Sequence, residues 1–241
     1  MPYVIAVAGK GGVGKTTITA FLIRRLLNIG GPVLAIDADP NSNLNTLLGL
    51  EYKETIADIR EEAKNLSSPG LSKSDFFNMR LQEIVIEGKG LDLLVMGRPE
   101  GSGCYCAVNN ILREYLSRLG KNYKFVVIDN EAGMEHLSRR TAGNIDKLLL
   151  VSDATMVGMT SAINVFDTAK KAGIKINNIS LLINKSRGEL DDKKKILIEK
   201  SGLKIAGYTP FKQEIEKNSE FGGDLSKIGL KELDEIFREV S

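Results

Sequence analysis

The sequence predicts an α/β fold, a single-domain doubly wound and mostly parallel sheet flanked by helices, on three observations. Short apolar runs rich in β-branched residues alternate with stretches of helical periodicity. Most of those runs are continuously apolar, as strands covered on both faces require. Gly30-Gly31-Pro32, Gly120, Gly173 and Gly202 stand at the expected helix exits, where a residue of positive φ is cheapest. At 241 residues the chain is long for one domain but within the range of a single α/β fold. No repeat, low-complexity tract or linker interrupts it, so residues 1–241 read as one domain.

In chain order, residues 3–8 are expected as the first strand and 16–28 as the first helix, where Ile18, Phe21, Leu22 and Leu26 share a face. A strand at 33–37 and a helix at 55–65 follow, then a strand at 91–96 and a helix at 108–118. Strands at 125–129 and 147–151 precede a helix at 159–172. A strand at 179–184, a helix at 191–201, a strand at 203–208 and a helix at 230–240 close the series. Repeated βαβ units of this kind join through right-handed crossovers.

Composition narrows the function classes. Basic residues number 33 against 31 acidic, a net charge of +2, which disfavours duplex DNA or an anionic membrane as partner. The apolar run at 3–8 has no basic flank and is too short for a signal peptide or a membrane span. With two cysteines, Cys104 and Cys106, there is no disulfide framework of the secreted kind. The expected setting is the cytoplasm, with neither nucleic acid nor membrane as partner.

Gly9-Lys10-Gly11-Gly12-Val13-Gly14-Lys15-Thr16 matches G-x-x-x-x-G-K-[ST] and lies between a strand and a helix, where the phosphate-binding mechanism requires it. Glycines let the backbone N–H groups and the helix N-terminus converge on one anion. Gly11, Gly12, Val13, Gly14, Lys15, Thr16 and Thr17 are therefore expected to cradle Mg-ATP. Lys15 should reach the β- and γ-phosphates, and the Thr16 hydroxyl should complete the Mg²⁺ shell. Asp37-Ala38-Asp39-Pro40 closes the second strand and Asp129 ends Phe125-Val126-Val127-Ile128. Carboxylates at strand carboxyl ends can hold Mg²⁺ through water and orient an attacking water.

Lys10 adds a second lysine early in the loop. The motif K-G-G-x-G-K-[ST] resembles the deviant Walker A ATPases, which include the nitrogenase iron protein, the MinD and ParA positioning ATPases and metallocluster maturation factors. The resemblance implies a MinD-like P-loop NTPase fold and a homodimer in which Lys10 crosses to the partner's ATP phosphates. It also implies that Asp39 in switch I positions the hydrolytic water and that Asp129, in the Walker B position, faces the metal shell. Asp129-Asn130-Glu131-Ala132-Gly133 would be switch II. Asn184 and Lys185 resemble the family's adenine-contacting segment, and Tyr208-Thr209-Pro210 the loop packed against the base.

Cys104-Tyr105-Cys106 sits in a glycine-bearing loop. It can be read as two incidental thiols, as a redox pair or as half of a metal site. Soft divalent metals favour four thiolates, which one chain cannot supply; a closed site needs a second copy across a two-fold axis. The C-x-C loop and the run from Asp129 to Arg140 resemble the nickel-insertion accessory ATPases of carbon monoxide dehydrogenase, the CooC type. That resemblance implies Zn²⁺ or Ni²⁺ on Cys104 and Cys106 at a dimer interface, with ATP hydrolysis coupled to nickel delivery into the dehydrogenase's active-site cluster. His136 is expected to be structural, and Arg139 and Arg140 to be solvated. The alternatives are a positioning ATPase and an iron–sulfur or redox-linked ATPase. Against the first, the 230–240 helix is acidic where a MinD-type anchor would be basic.

Overall fold

The computed structural model describes residues 1–64, 73–98, 114–116, 120–132, 144–171, 173, 175–220 and 233–234. The chain runs β1 (Tyr3–Gly9), α1 (Lys15–Asn28), β2 (Val33–Ala38), α2 (Leu44–Leu48), α3 (Ile56–Lys64), α4 (Lys73–Ile84), β3 (Ile86–Glu87) and β4 (Leu91–Val95). It continues through β5 (Phe125–Ala132), β6 (Asn144–Asp153), α5 (Met156–Lys171), β7 (Lys175–Ser186), α6 (Asp192–Ser201), β8 (Lys204–Pro210) and α7 (Gln213–Glu220).

The strands form an eight-stranded sheet in the order β3-β4-β2-β5-β1-β6-β7-β8. Every neighbouring pair is parallel except β3 with β4. β1 lies inside the sheet, with β2, β3, β4 and β5 on one side and β6, β7 and β8 on the other. The chain therefore winds away from β1 in both directions, the arrangement in which ligands gather outside the strands' carboxyl ends.

Strand alternation divides the core. Ile5 and Val7 of β1 join Val33 and Ala35 of β2 beneath α1, against Ile18, Leu22 and Leu26. Ala6 and Ala8 face the other way, into the layer made with Met159, Ala162 and Phe166 of α5. Leu34 and Ile36 meet Ile56 and Ile59 of α3 and Phe76 and Leu81 of α4. Both faces are thus covered, which is why the strands read as unbroken apolar runs.

The fold class is the one expected, and several elements differ from the reading above. α2, α4, β3 and α7 were not anticipated. α2 has five residues and β3 two, too few to show a period. α7 (QEIEKNSE) carries one apolar residue, Ile215. β5 and β6 extend past the expected 125–129 and 147–151, α5 starts at Met156 rather than 159, and β8 ends at Pro210 rather than 208. Most of the 108–118 and 230–240 segments lie outside the described residues. Within them, residues 114–116 are helical and Leu233 is buried in the α1 layer. Among the described residues, no helix is long and apolar enough to cross a membrane.

Candidate active site

The loop between β1 and α1 is shaped by its glycines. A Cβ on Gly9 would sit 2.1 Å from the Val151 carbonyl oxygen of β6, so the loop can leave β1 along this path only without a side chain. The N-terminus of α1 has no side-chain cap and no acidic residue in its first turn. Its N–H groups and dipole are therefore left to a ligand anion.

Two cavities meet at that helix end. One, of ≈ 540 Å³, is lined by Gly11, Gly12, Lys15, Thr16, Asp39 and Glu131 among others. The second, of ≈ 350 Å³, is lined by Asn184, Lys185, Pro210 and Phe211. Gly14 and Thr17 border both. The structure thus gathers Gly11, Gly12, Gly14, Lys15, Thr16, Thr17 and Asp39 around one compartment, and Asn184, Lys185 and Pro210 around an adjoining one. A triphosphate and its base need two such spaces, one polar and one flanked by Pro210 and Phe211.

The remaining expected residues have different positions. Val13 is buried, 1% exposed, and its carbonyl accepts from Asn184 Nδ2 at 2.7 Å. Lys10 is exposed at the loop's outer side, while its carbonyl accepts from Lys15 Nζ at 3.3 Å. Asp129 is fully buried beneath the cleft. Its Oδ1 accepts from Thr19 Oγ1 at 3.0 Å, and its Oδ2 has no hydrogen-bond partner. Cys104, Cys106, Gly133, His136, Arg139 and Arg140 lie outside the described residues.

Asp37, also fully buried, acts within the chain. Its Oδ1 accepts from the Asp39 N–H at 3.1 Å and its Oδ2 from the Leu44 N–H at 3.0 Å. It thereby pins the segment that carries Asp39. Asp37 and Asp129 are register partners on β2 and β5, and both carboxyls are held away from water. Burial, then the neighbouring Asp129, pushes the Asp37 carboxyl up to about 7, against the pull of the two N–H donors. Burial pushes Asp129 up to about 6, while the hydroxyls of Thr16 and Thr19 and the Lys15 charge draw it down. Buried carboxyls of this kind call for a cation. The unpaired Asp129 oxygen beside Thr16, with the uncapped helix end and Lys15, suits a magnesium nucleotide.

Glu131 was expected only as part of switch II, with no role of its own, and it borders the phosphate compartment together with Asp39. Period-two alternation along β5 puts it on the same strand face as Asp129, a signal available without coordinates. Thr19 was also missed, and Thr209 was placed in the base-packing loop without its bond to Asn184, because their partners lie 110 and 25 residues away.

The fold and site are those of a P-loop nucleoside triphosphatase. The chain belongs to the CobQ/CobB/MinD/ParA nucleotide binding domain family, which it matches over residues 4–225. It is 43% identical to an uncharacterized ATP-binding protein of Methanocaldococcus jannaschii, over 98% of this chain and 95% of that one. It is 32% identical to the carbon monoxide dehydrogenase accessory protein CooC of Rhodospirillum rubrum, over 90% of this chain and 87% of that one. Among solved structures, the septum site-determining protein MinD of Pyrococcus horikoshii, complexed with Mg-ADP, superposes with a TM-score of 0.72 at 22% identity. That match covers 100% of this chain and 96% of the other, and shows a common fold. The chain is an ATP-binding ATPase of this family.

Proposed function

We propose that the protein is an ATP-driven metallochaperone of the CooC type, acting as a cytoplasmic homodimer on a nickel-containing carbon monoxide dehydrogenase. In this reading residues 1–241 work as one nucleotide-binding domain. Lys15 binds the β- and γ-phosphates, Thr16 and the Asp129 side of the cleft hold Mg²⁺, and the adenine enters the cavity of Asn184, Lys185 and Pro210. Asp39 orients water for in-line attack on the γ-phosphorus; the bond to the β–γ bridging oxygen breaks, leaving ADP and phosphate. The bound Mg²⁺ would supply charge neutralisation on the phosphate oxygens. Lys10, exposed at the rim, reaches the phosphates of the partner subunit, a cation supplied in trans to the developing charge.

The observation that carries the metal role is the pairing of Cys104-x-Cys106 with the 32% identity to CooC. Two chains would close a four-thiolate site for Zn²⁺ or Ni²⁺, and hydrolysis would alter the paired loops. Titration with Zn²⁺ tests this, read together with mass in solution. About one ion per two chains is expected, with loss of the ion in the Cys104→Ser/Cys106→Ser variant. Equal retention by that variant would remove the metal role and leave the ATPase intact.

A positioning ATPase is the second reading, favoured by 26% identity to the septum site-determining protein MinD of Thermotoga maritima over 99% of this chain. Co-sedimentation with anionic liposomes or DNA in the presence of ATP would support it over the first.

A further inference from the structure

Asn184 stands where the phosphate and base compartments adjoin, and its amide is already engaged within the chain. Nδ2 donates to the Val13 carbonyl at 2.7 Å, and Oδ1 accepts from Thr209 Oγ1 at 2.6 Å. Asn184 is 7% exposed and Thr209 is 0% exposed, so both bonds lie away from water, where an unmade bond costs most. Because the Val13 carbonyl can only accept, it fixes which end of the amide faces the loop. The sequence Thr209–Asn184–Val13 is thus a strut from β8 through β7 to the phosphate loop.

Lys185 shows how β7 makes this reach. Neighbouring side chains on a regular strand point to opposite faces. Lys185 has φ 55°, a left-handed value that is unfavourable for a residue with a Cβ. The β7–β8 register shifts between Ile183 and Ser186, where this kink falls. Adjacent residues consequently approach adjacent loop carbonyls: Asn184 holds Val13, and Lys185 Nζ comes within 3.5 Å of the Gly12 oxygen. Gly14 fits the same scheme. A Cβ there would lie 2.5 Å from Asn184 Nδ2, so this glycine of the motif makes room for a protein amide.

We propose that Thr209 and Asn184 are positioning residues that set the shape of the phosphate loop. Through the amide's remaining N–H and lone pair, they also tie the binding of an adenine nucleotide's base to that of its phosphates. A residue that only touched the base would be silent toward a ligand without one. A strut affects both.

The experiment measures the affinity of Mg-ATP and of base-free magnesium tripolyphosphate, each by competition against a fluorescent ATP analogue. Thr209→Val deletes the O–H donor at nearly constant volume and should weaken both ligands by a similar factor, about fivefold for one net hydrogen bond. Thr209→Ser keeps the hydroxyl and should restore both. Asn184→Asp, the same shape, sets a carboxylate oxygen against the Val13 carbonyl and should weaken both by more than about tenfold. If Asn184→Asp does not fold, the two Thr209 variants decide, since they differ from the parent by one group each. A loss confined to ATP, with tripolyphosphate binding unchanged, would assign the amide to the base alone and overturn the proposal. So would unchanged binding of both ligands in Thr209→Val. Neither measurement depends on Cys104 or Cys106.

Discussion

Asp37 and Asp129 are two carboxyls in a place where water is excluded and charge is dear. Each titrates above the ordinary value of 3.8, Asp37 to about 7 and Asp129 to about 6. Between pH 4 and those values the folded protein keeps protons that the unfolded chain has released. Unfolding then releases protons, so a rise in pH favours it. The stabilisation from this pair is complete below about pH 4 and is lost as pH climbs through 6 and 7, with a slope of up to about 1.4 kcal/mol per pH unit for each carboxyl. Urea unfolding in EDTA between pH 5 and 8 should show this decline, and Asp37→Asn should flatten it. An identical slope in the variant would exclude Asp37 as the source. The motif located these acids but said nothing of their burial. Asp37 looks from the sequence like half of a magnesium-binding pair, whereas both its oxygens hold backbone N–H groups of the Asp39–Leu44 segment. That distinction depends on the turn after β2, which carries no periodic signal.

Helix α1 links the core to the site. Its first turns present Lys15, Thr16 and Thr17 to the nucleotide compartments, and its body is buried from Ile18 to Ile23 and again at Leu26. Such a helix is held by packing rather than by intrinsic propensity. Leu22→Ala should lower stability by about 2–5 kcal/mol, as for a fully buried leucine that leaves a cavity, measurable as a shift of the urea midpoint at unchanged slope. A shift under about 1 kcal/mol would mean that the layer beneath α1 repacks freely. Elements of this size were legible because their apolar spacing repeats over several turns. The shorter ones were hidden for opposite reasons. α2 and β3 are too brief to repeat anything, whereas α4 spans 12 residues but interleaves Phe76, Leu81 and Ile84 with charged residues that bind its neighbours. Arg80 alone meets Glu54, Glu62 and Glu83, and such pairing disguises a buried stripe as a solvated one. In the site, the phosphate loop's place between β1 and α1 was legible because the motif is contiguous in the chain. The strut was not, because Val13, Asn184 and Thr209 are far apart in the chain and meet only when the loop after β1, β7 and β8 are assembled.

At the scale of the whole molecule, the proposed binding mode sets the two halves of the nucleotide on unequal foundations. The phosphate loop grows from β1, which is bonded on both sides, to β5 and β6. The base cavity is floored in part by β8, and among the described residues β8 pairs with β7 alone. Border strands open at lower free energy than inner ones. Backbone amides of β8 should therefore exchange with deuterium sooner than those of β1, and added nucleotide should slow β8 more than β1. Equal protection of the two strands, or indifference of β8 to nucleotide, would contradict this. The purine, on this view, is a clasp. By fastening a border strand it makes that strand's mobility answer to whether the site holds an adenine nucleotide at all.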